Sequence, residues 1–525
     1  MKSNCPVRKM KDIMIRTNQI GTRNDHFWAA SGLDELFAFT KTEAGEYLTS
    51  RMQEKGTCRY VRNHFTLNRE IINGVRCGGD VYAEDTEGNP VYDFTWINDI
   101  FRRIINKGMK PVVEMDFMPD PLIGNSGGIT QEGFGHKQSN RYCPNDWDKW
   151  DALLKTFMQN LVDTFGLEEI RTWYFEVWNE PDSWPVDDWD NFYRLYDVFA
   201  EAVKSVDQEL RVGGPACFRM PLFYAFLNHV ANGTNHVTGK KGVPLDFISY
   251  HIYGMSGGWL KEYPLVMPTV QRFVQELLWV QRAINTYPSL KGTEFLLNEW
   301  GVISNYERSS KEYPPLEVRN SEFSALFAVK LVDCIESLRK AFDLPLTMLL
   351  YWGFCNEDTC GTLFNGNRSL TTAHHICKPI QTAHEFLAML GEEMLAVEGM
   401  KAGCDEGVLA AKSGTGVQAL VYYFNEYDAE RNLPDRDYRI DFQDMEAGLY
   451  CLKVYTMDDT HNNTYRLWQR LGAPEELTAE ELKLLHAEQE ITADVEQIVE
   501  IKDGNFSYET KLSSVSMKLI ALTKK

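Results

Sequence analysis

Two glutamates follow strand-like segments in this 525-residue sequence: Glu180 within Val177–Asp182 (VWNEPD) and Glu299 within Leu297–Gly301 (LNEWG). Each closes a short run of β-branched, apolar and aromatic residues, so each side chain is expected at the end of a strand. Two carboxyl groups can divide acid–base and nucleophilic work when one is protonated and the other is ionised. Cleavage of a glycosidic bond needs such a pair: one group protonates the leaving oxygen, and the other attacks the anomeric carbon or activates water.

The segments that must position these glutamates alternate in type. From residue 12 to about residue 390, short strand-like runs alternate with stretches of helical periodicity such as Trp96–Asn106 and Trp147–Phe165. This order predicts parallel strands joined by crossover helices, and eight runs favour a closed (β/α)8 barrel. No Gly-rich phosphate-binding fingerprint follows the first run, which disfavours a dinucleotide fold. The predicted strands are Asp12–Thr17, Arg59–Phe65, Lys110–Phe117, Trp173–Trp178, Arg211–Ala216, Asp246–Tyr253, Glu294–Trp300 and Leu346–Phe354.

The barrel would bring the two glutamates together. Reactive groups of such barrels stand at the carboxyl ends of the strands, and Glu180 and Glu299 end the fourth and seventh predicted strands. A separation of about 5–5.5 Å fits nucleophilic attack with retention of configuration, whereas about 6.5–9.5 Å leaves room for water and inversion. Because the two strands face each other across a narrow barrel, we expect the shorter distance. A single glutamate at a strand end is usually solvated or ion-paired, so the pair is the specific signal.

A second domain is expected after about residue 391. Short strand-like segments such as GVQALVYYF, LYCLKVYTM and VSMKLIALT follow one another between Gly, Asn and Asp turns. This rhythm is typical of an antiparallel β-sandwich. One helical stretch interrupts it, with Thr478 as the predicted N-cap and Glu481 three residues later. We therefore expect a barrel domain at residues 12–390 and a β-sandwich at 391–525, to which residues 1–11 could add.

The composition excludes several classes of protein. The net charge of −21 makes nucleic acid and anionic membranes poor partners. No stretch of about 18 apolar residues predicts a transmembrane helix, and no apolar segment near the N-terminus predicts a signal peptide. The 11 cysteines have no framework spacing, which favours free thiols in a reducing compartment. We therefore expect a cytoplasmic protein acting on a small, imported substrate.

No cofactor and no metal ion are expected. His374 and His375 look like a ligand pair, but adjacent residues on a strand point to opposite faces. No carboxylate at suitable spacing accompanies them. This predicts a site that works with side chains alone.

Several segments together resemble glycoside hydrolase family 39, the β-xylosidase and α-L-iduronidase family of the clan A barrels. The resemblance extends along nearly the whole chain and is most specific in FEVWNEPD and HIYG. It implies hydrolysis of glycosides with Glu180 as general acid/base and Glu299 as nucleophile. The matching segments are Arg62–His64, Pro111–Pro119, Phe175–Asp182, Ser249–Gly254, Asn298–Trp300, Tyr351–Trp352 and Asp459–Gly472.

The resemblance also implies contacts around the reacting sugar. Asn179 would bind the sugar 2-hydroxyl, a contact that strengthens in the transition state. His251 and Tyr253 would lie near the nucleophile Glu299, with Tyr253 placed to hydrogen-bond it. Without the barrel context, His64 and His251 would more readily be taken as ordinary core histidines.

Further roles are implied for the floor of subsite −1, the position of the sugar that is cleaved. Arg62 and His64 would support this subsite and Trp352 would form its floor, although Trp352 could also be core packing. The resemblance further implies a cis peptide bond between Trp352 and Gly353. His461–Asn463 would form a polar network between the two domains.

The identity of the sugar stays open. A β-xylosidase acting on short xylo-oligosaccharides is the leading interpretation, but the acidic pair that β-xylosidases carry after the eighth strand cannot be aligned with Glu357 and Asp358. Arg368 would suit a uronic acid carboxylate, although a surface position is the preferred interpretation. The alternatives are an α-L-arabinosidase, an iduronidase-like enzyme and a catalytically silent sugar-binding protein. A homo-oligomer is also left open.

Overall fold

The computed structural model of the protein describes residues 10–33, 41–72, 75–124, 143–182, 189–255, 267–304, 309–353, 363–372, 374–414, 416–428 and 431–525. Within these ranges lie a closed barrel, a nine-stranded sheet and two short hairpins. Among the helices described there, none is both long enough and apolar enough to cross a membrane.

The strands are β1 (Lys11–Arg23), β2 (Ala30–Leu33), β3 (Tyr60–Asn63), β4 (Ile71–Ile72), β5 (Val75–Arg76), β6 (Tyr82–Glu84), β7 (Pro90–Tyr92), β8 (Lys110–Met115), β9 (Tyr174–Val177), β10 (Arg211–Cys217), β11 (Phe247–Met255), β12 (Glu294–Ile303), β13 (Leu346–Trp352), β14 (Glu393–Glu398), β15 (Glu406–Ser413), β16 (Gly416–Tyr423), β17 (Arg436–Gln443), β18 (Gly448–Met457), β19 (Val495–Ile501), β20 (Phe506–Leu512) and β21 (Ser516–Lys524).

The α-helices are α1 (Glu43–Lys55), α2 (Thr95–Asn106), α3 (Trp147–Phe165), α4 (Leu167–Ile170), α5 (Trp189–Val206), α6 (Met220–Asn232), α7 (Val270–Asn285), α8 (Glu322–Phe342), α9 (Pro379–Ala388), α10 (Thr464–Arg470) and α11 (Ala479–Glu488). Short 3-10 helices span Asp120–Leu122, Pro288–Leu290 and Pro314–Arg319.

The predicted (β/α)8 barrel is confirmed. Its strand order is β10-β11-β12-β13-β2-β3-β8-β9, closed on itself, and every neighbouring pair is parallel. The predicted strands from Arg59–Phe65 onward correspond to β3 and to β8 through β13. Because all eight strands run in one direction, their carboxyl ends lie at one face and deliver side chains to one site.

The first predicted barrel strand, Asp12–Thr17, is wrong. It lies within β1, which pairs antiparallel with β14 and parallel with β17 of the second sheet. Ile13 and Ile15 alternate into the core of that sheet. The alternating pattern therefore predicted a strand correctly, but the strand pairs with the second sheet and not with the barrel. The barrel therefore begins at Ala30 instead of residue 12. We propose that Lys11–Arg23 belongs to the second domain.

The true first barrel strand has an unusual sequence. Strand β2 is ASGL, and Ala and Gly are depleted in strands, so its composition gave no signal. A small residue is nevertheless required there: a Cβ on Gly32 would lie 1.9 Å from Cε3 of Trp352. Gly32 is a weak strand former, but it is required here because the Trp352 ring leaves no room for a side chain.

The second sheet has the order β19-β18-β21-β16-β15-β14-β1-β17-β20. Only β1 and β17 pair in parallel. Ile501 from one end of this order and Leu512 from the other lie in the same apolar cluster, which means that the sheet curls over on itself as a sandwich does. The predicted helical insert is α11, with a capping box between Thr478 and Glu481.

A buried ion cluster joins the barrel to the second domain. Glu322, the first residue of α8, is 2% exposed in its side chain and lies 2.7 Å from Arg466. Arg431 also pairs with it, and Asn463 donates to it at 2.8 Å. Burial alone would raise the pKa of Glu322, but Arg466, Arg431 and Asn463 hold it below its usual value. The expected polar network thus includes Asn463, whereas His461 contacts Asp458 within its own turn.

Replacing Glu322 by Gln is expected to destabilise the protein by about 2–3 kcal/mol at pH 7, because two arginines lose their shared anion. The arginines are partly exposed, which keeps the loss below that of a fully buried pair. Urea unfolding measures the change, with Glu500→Gln at an exposed ion pair as the control, which should shift by less than about 0.5 kcal/mol. The difference should shrink below about pH 4, where the carboxyl is protonated in the unfolded chain and begins to lose its charge in the folded one.

Candidate active site

The carboxyl end of the barrel gathers all the residues expected from the sequence. The strands and the residues directly after them deliver Arg62 and His64 (β3), Asn179 and Glu180 (β9), His251 and Tyr253 (β11), Glu299 (β12) and Trp352 (β13). Each of these side chains contacts at least one other member of the group. Their assembly in one place is therefore a fact of the fold, while their individual roles remain predictions.

Glu180 stands on a strained turn after β9. Its φ of +43° and that of Trp178, +69°, lie in the left-handed region that non-glycine residues rarely adopt. The turn is tied to the next strand because the Glu180 amide donates to the carbonyl oxygen of Ala216 at 2.9 Å. Asp182 accepts from the amide nitrogens of Phe218 and Arg219 just before α6. These bonds fix the Glu180 side chain at the mouth of the barrel.

Asp182 also adds charge beside the candidate acid. Burial, and then the neighbouring Glu180, raise the pKa of Asp182 to about 7. Around neutral pH, Asp182 therefore gains or loses a proton at a position beside Glu180. The Asn-Glu-Pro-Asp turn thus supplies two carboxyl groups: that of Asp182 holds the turn in place, and that of Glu180 faces the site.

Glu299 lies deeper, on β12. Its Oε1 accepts a 2.6 Å hydrogen bond from the Tyr253 hydroxyl, and its Oε2 accepts from Nη1 of Arg62 at 3.3 Å. Burial and the charge of Glu299 raise the pKa of Tyr253 well above its ordinary value, so the hydroxyl keeps its proton. Arg368 donates to the same hydroxyl oxygen at 2.9 Å. A line of donors from Arg368 through Tyr253 therefore ends on Glu299.

His251 joins the two glutamates. Its Nδ1 lies 3.0 Å from Oε1 of Glu180 and 3.4 Å from Oε2 of Glu299. One oxygen of each carboxylate and this nitrogen all lie within 4.8 Å of one another. Burial lowers the pKa of His251 to about 4, an effect that the negative charge of Glu299 opposes. At neutral pH the ring is uncharged, so it can bridge the carboxylates without neutralising them.

Replacing Tyr253 by Phe is expected to reduce kcat by about 10- to 100-fold, because a hydrogen bond to a charged group contributes about 1.5–3 kcal/mol. The ring and its packing are retained, so the enzyme should stay folded, with an unfolding midpoint only a few degrees lower because the buried hydrogen bonds are lost. Steady-state kinetics with an aryl glycoside measure the expected loss in kcat, and a thermal melt measures the unfolding midpoint. An unchanged kcat would show that the 2.6 Å bond does not orient Glu299 for reaction.

Sequence reasoning missed Glu176, which organises the floor of the site. It is fully buried, lies 2.5 Å from Nε of Arg62, and accepts from Asn298 and from the Ser249 hydroxyl. Arg62, also fully buried, lies between Glu176 and Glu299 and shares one cation between them. The available signal was a glutamate within the apolar run Trp173–Trp178, because charge inside a buried strand needs a partner.

A second buried acidic pair supports His64. Glu114 lies 2.8 Å from Nδ1 of His64 and 2.8 Å from Nη2 of Arg62. Asp116 accepts from the amide of Thr66, and its side chain also forms a hydrogen bond with that of Glu114. Burial, and then Glu114, raise the pKa of Asp116 well above its ordinary value. The pair therefore keeps a proton to a higher pH than the same two carboxyls do in the unfolded chain.

Replacing Asp116 by Asn is expected to flatten the pH dependence of stability. A carboxyl with a raised pKa in the folded state contributes its stability below about pH 4, and this is lost as pH rises toward the folded pKa. Wild-type protein should therefore lose up to about 1.4 kcal/mol per pH unit through this group as the pH rises from about 4 toward the raised folded pKa. The amide of the Asp116→Asn variant needs no added proton, so its urea midpoints should fall less over that interval. Equal slopes for both proteins would show that Asp116 is ionised throughout.

Trp352 lies at the bottom of the site. Its ring centre is 4.6 Å from that of His64, and the Arg62 guanidinium lies 5.3 Å from it. The expected cis bond between Trp352 and Gly353 is absent: within the described ranges the cis bonds are Asp116–Phe117 and Gly214–Pro215. The Gly353 amide instead donates to the carbonyl oxygen of Gly32, which continues the pairing of β13 with β2.

The other residues considered from the sequence are Arg368, the pair Glu357 and Asp358, and the pair His374 and His375. The surface position expected for Arg368 is wrong, since the residue is 8% exposed and contacts Tyr253. Glu357 and Asp358 lie outside the described residues. His374 and His375 stand in a turn, not on a strand, and the His375 ring stacks on Tyr47.

Comparison with known proteins agrees with this geometry. The sequence model of the family described as "Glycosyl hydrolases family 39" matches residues 11–505. A β-xylosidase of Geobacillus stearothermophilus is 25% identical over 449 residues, 81% of this chain and 78% of that protein. An α-L-iduronidase of Mus musculus is 23% identical over 468 residues, 82% of this chain and 68% of that protein. The crystal structure of a monomeric β-xylosidase from Caulobacter crescentus CB15 is similar with a TM-score of 0.80 and 25% identity, covering 98% of this chain and 99% of that one. The chain therefore belongs to glycosyl hydrolase family 39 and is a glycoside hydrolase.

Proposed function

We propose that this glycoside hydrolase retains anomeric configuration through a covalent glycosyl-enzyme intermediate. The observation that carries the proposal is the close approach of Glu180 and Glu299, which have oxygens within 4.8 Å of each other and share the contact with His251. This spacing suits direct attack by a carboxylate and leaves little room for a water molecule between acid and sugar.

The proposed reaction has two steps. In the first, Glu180 transfers its proton to the glycosidic oxygen, the bond from that oxygen to the anomeric carbon breaks, and a carboxylate oxygen of Glu299 bonds to the carbon. In the second, Glu180 takes a proton from water, whose oxygen displaces Glu299. Tyr253 and Arg62 hold Glu299 in line for both steps. Asn179, held by Arg62 at 3.0 Å, would bind the 2-hydroxyl.

The configuration of the first-formed product tests the mechanism. Proton NMR of an aryl xyloside reaction should show the β-anomer of xylose before mutarotation produces the α-anomer. Initial appearance of the α-anomer would overturn retention. A 2-fluoro glycoside should also label Glu299 covalently, which a silent sugar-binding protein would not allow.

The substrate that we propose is a short xylo-oligosaccharide cleaved from its non-reducing end, as by a β-xylosidase. The β-xylosidases of similar sequence support this choice. The test compares kcat/KM for aryl β-xyloside, α-L-arabinosides, β-galactoside, β-glucoside and β-glucuronide. The xyloside should be fastest; a faster arabinoside would replace the assignment with an α-L-arabinosidase.

A uronic acid glycoside is the second candidate, favoured by the buried position of Arg368. Its guanidinium reaches Tyr253, and Arg319 is fully buried nearby, where burial and then the charge of Arg368 lower its pKa to about 9. Two cations beside the site would favour a carboxylate on the sugar. If so, an aryl iduronide or glucuronide should outperform the xyloside, and Arg368→Met should lower activity on the uronide more than on the xyloside.

We further propose that the protein acts in the cytoplasm. The support is the absence of framework spacing among its cysteines, and all eight cysteines in the described part of the chain are unpaired. Oxidised protein should show no intramolecular disulfide by mass spectrometry of alkylated peptides.

A further inference from the structure

A cluster of one carboxylate and two histidines lies on the outer helices of the barrel, between α5 and α6. Nε2 of His229 is 2.9 Å from one carboxylate oxygen of Asp197, and Nδ1 of His236 is 2.7 Å from the other. The three candidate ligand atoms lie within 4.8 Å of one another. None of these residues belongs to the active site described above.

Asp197 is fully buried. Among the described residues its ionic contacts are the two histidines, with no lysine or arginine, and its second oxygen also accepts from the backbone amide of His236 at 2.8 Å. Burial of an ionised carboxylate is costly unless a positive charge accompanies it. A cation bound between Asp197 and the two histidines would supply that charge.

The surroundings favour a metal ion. Asp190, whose side chain is 81% exposed, lies 3.6 Å from Nε2 of His236, the ring nitrogen that faces away from Asp197; the distance is longer than a hydrogen bond, so Asp190 would have to move closer to orient the ring. Metal-bound histidines commonly direct their second nitrogen to a carboxylate, which orients the ring and strengthens the ligand. The His229 ring is fixed as well, because it stacks on Tyr193 at 4.4 Å with an interplanar angle of 7°.

The turn that carries His236 is held in place before any ion binds. Asn235 is 1% exposed, donates to Glu201 on α5, and accepts from the amides of Val237 and Thr238. The His236 side chain itself is 26% exposed, which leaves a path from solvent. The turn is therefore fixed by the hydrogen bonds of Asn235, while solvent can reach the side chain of His236.

We propose that His229, His236 and Asp197 bind one Zn²⁺ ion, with solvent as the fourth ligand. Two imidazole nitrogens and a carboxylate oxygen form a common donor set for this ion. Ligand atoms around tetrahedral zinc lie roughly 3.3 Å apart. This is longer than the 2.9 and 2.7 Å contacts of the histidines with the two oxygens of Asp197, so binding requires both rings to move away from the carboxylate and to turn toward a common point. The ion would fasten the turn after α6 to α5. The expectation of no metal rested on His374 and His375 and did not consider these residues.

Two other clusters are weaker candidates. His64, Glu114 and Asp116, and likewise Glu180, His251 and Glu299, bring three possible ligand atoms equally close. In both, however, a glutamate already pairs with the buried Arg62, whose positive charge repels a cation. Zinc at the catalytic pair would also inhibit the enzyme, and this separates the two locations experimentally.

The test uses the full chain after treatment with a chelator, titrated with Zn²⁺ by calorimetry. One equivalent should bind with a rise in the thermal midpoint and no loss of aryl glycoside turnover. His236→Ala should weaken binding by at least about 100-fold and Asp190→Asn by about 10-fold, while His374→Ala, at an exposed histidine outside the cluster, should bind as wild type does. The His236 side chain is partly exposed, so its variant should fold, and circular dichroism checks this.

Three results would overturn the proposal. The first is that wild-type protein takes up no Zn²⁺ beyond that bound by the His236→Ala variant. The second is that zinc binds but inhibits turnover equally in both proteins, which places it at Glu180 and Glu299. The third is a thermal midpoint that does not change when zinc is added, which would show that the hydrogen bonds from the two histidines and from the His236 amide hold Asp197 without an ion.

Discussion

Turnover of every glycoside substrate should fall by at least about 10⁴-fold when Glu299 is replaced by Gln, a loss of about 5.5 kcal/mol of transition-state stabilisation. The amide can keep the contact with Tyr253 but cannot form the bond to the anomeric carbon. Since no leaving group avoids this step, activated aryl glycosides should be affected as severely as disaccharides. Steady-state kinetics with both substrate types measures the loss.

The matched control is Glu294→Gln, at the opposite end of the same strand, where the carboxylate accepts from Tyr174 and Thr347. This variant should keep activity within a few-fold of wild type. Because Arg62 loses a charged partner in Glu299→Gln, the thermal midpoint must be measured beside the kinetics. A folded Glu299→Gln enzyme with more than about 1% of wild-type activity would remove Glu299 from the role of nucleophile.

Replacing Glu180 by Ala should separate substrates according to their leaving groups. General acid catalysis contributes about 10²- to 10⁴-fold, and a xylobiose or methyl xyloside substrate should lose about that much. A dinitrophenyl xyloside departs without protonation, so its first step should change by less than about tenfold. The second step still lacks its base, so the covalent intermediate on Glu299 should accumulate.

Azide provides the decisive contrast for this variant. A small anion can occupy the space left by the Glu180 side chain and attack the intermediate without a general base. The Glu180→Ala enzyme should therefore accelerate with azide and release β-xylosyl azide, whereas wild-type enzyme should not respond. Equal losses on both substrate classes, together with no response to azide, would contradict the role of Glu180 as acid/base.

Much of the barrel was predictable because its signals are local. Strand runs such as Lys110–Phe117 and Glu294–Trp300 carry alternating or continuous apolar residues. This pattern indicates a buried strand whichever strand lies beside it. Helix α3 coincides with the predicted Trp147–Phe165 because its apolar spacing depends on the helix period alone. Chain order and residue type also sufficed to place Glu180 and Glu299 at the carboxyl ends of two barrel strands.

What failed depended on distant partners. The sequence DIMIRT reads as a strand in any context, but only its pairing with β14 and β17, which lie far along the chain, places it outside the barrel. Strand β2 could not be recognised from ASGL, because the reason for Gly32 is the ring of Trp352. Arginine is a residue type usually expected at the surface, and only the fold places Arg368 2.9 Å from the hydroxyl of Tyr253.

The sequence alone therefore determined the chemistry available to this protein, two carboxyl groups at the ends of parallel strands, because residue type and local periodicity are written along the chain. Only the tertiary structure decided how that chemistry is tuned. The sharing of Arg62 between Glu176 and Glu299, the neutral His251 between two carboxylates and the raised pKa of Asp116 all arise from burial and from contacts between strands far apart in sequence. Charges interact strongly only where water is excluded, and the chain order does not reveal which side chains the fold will bury together.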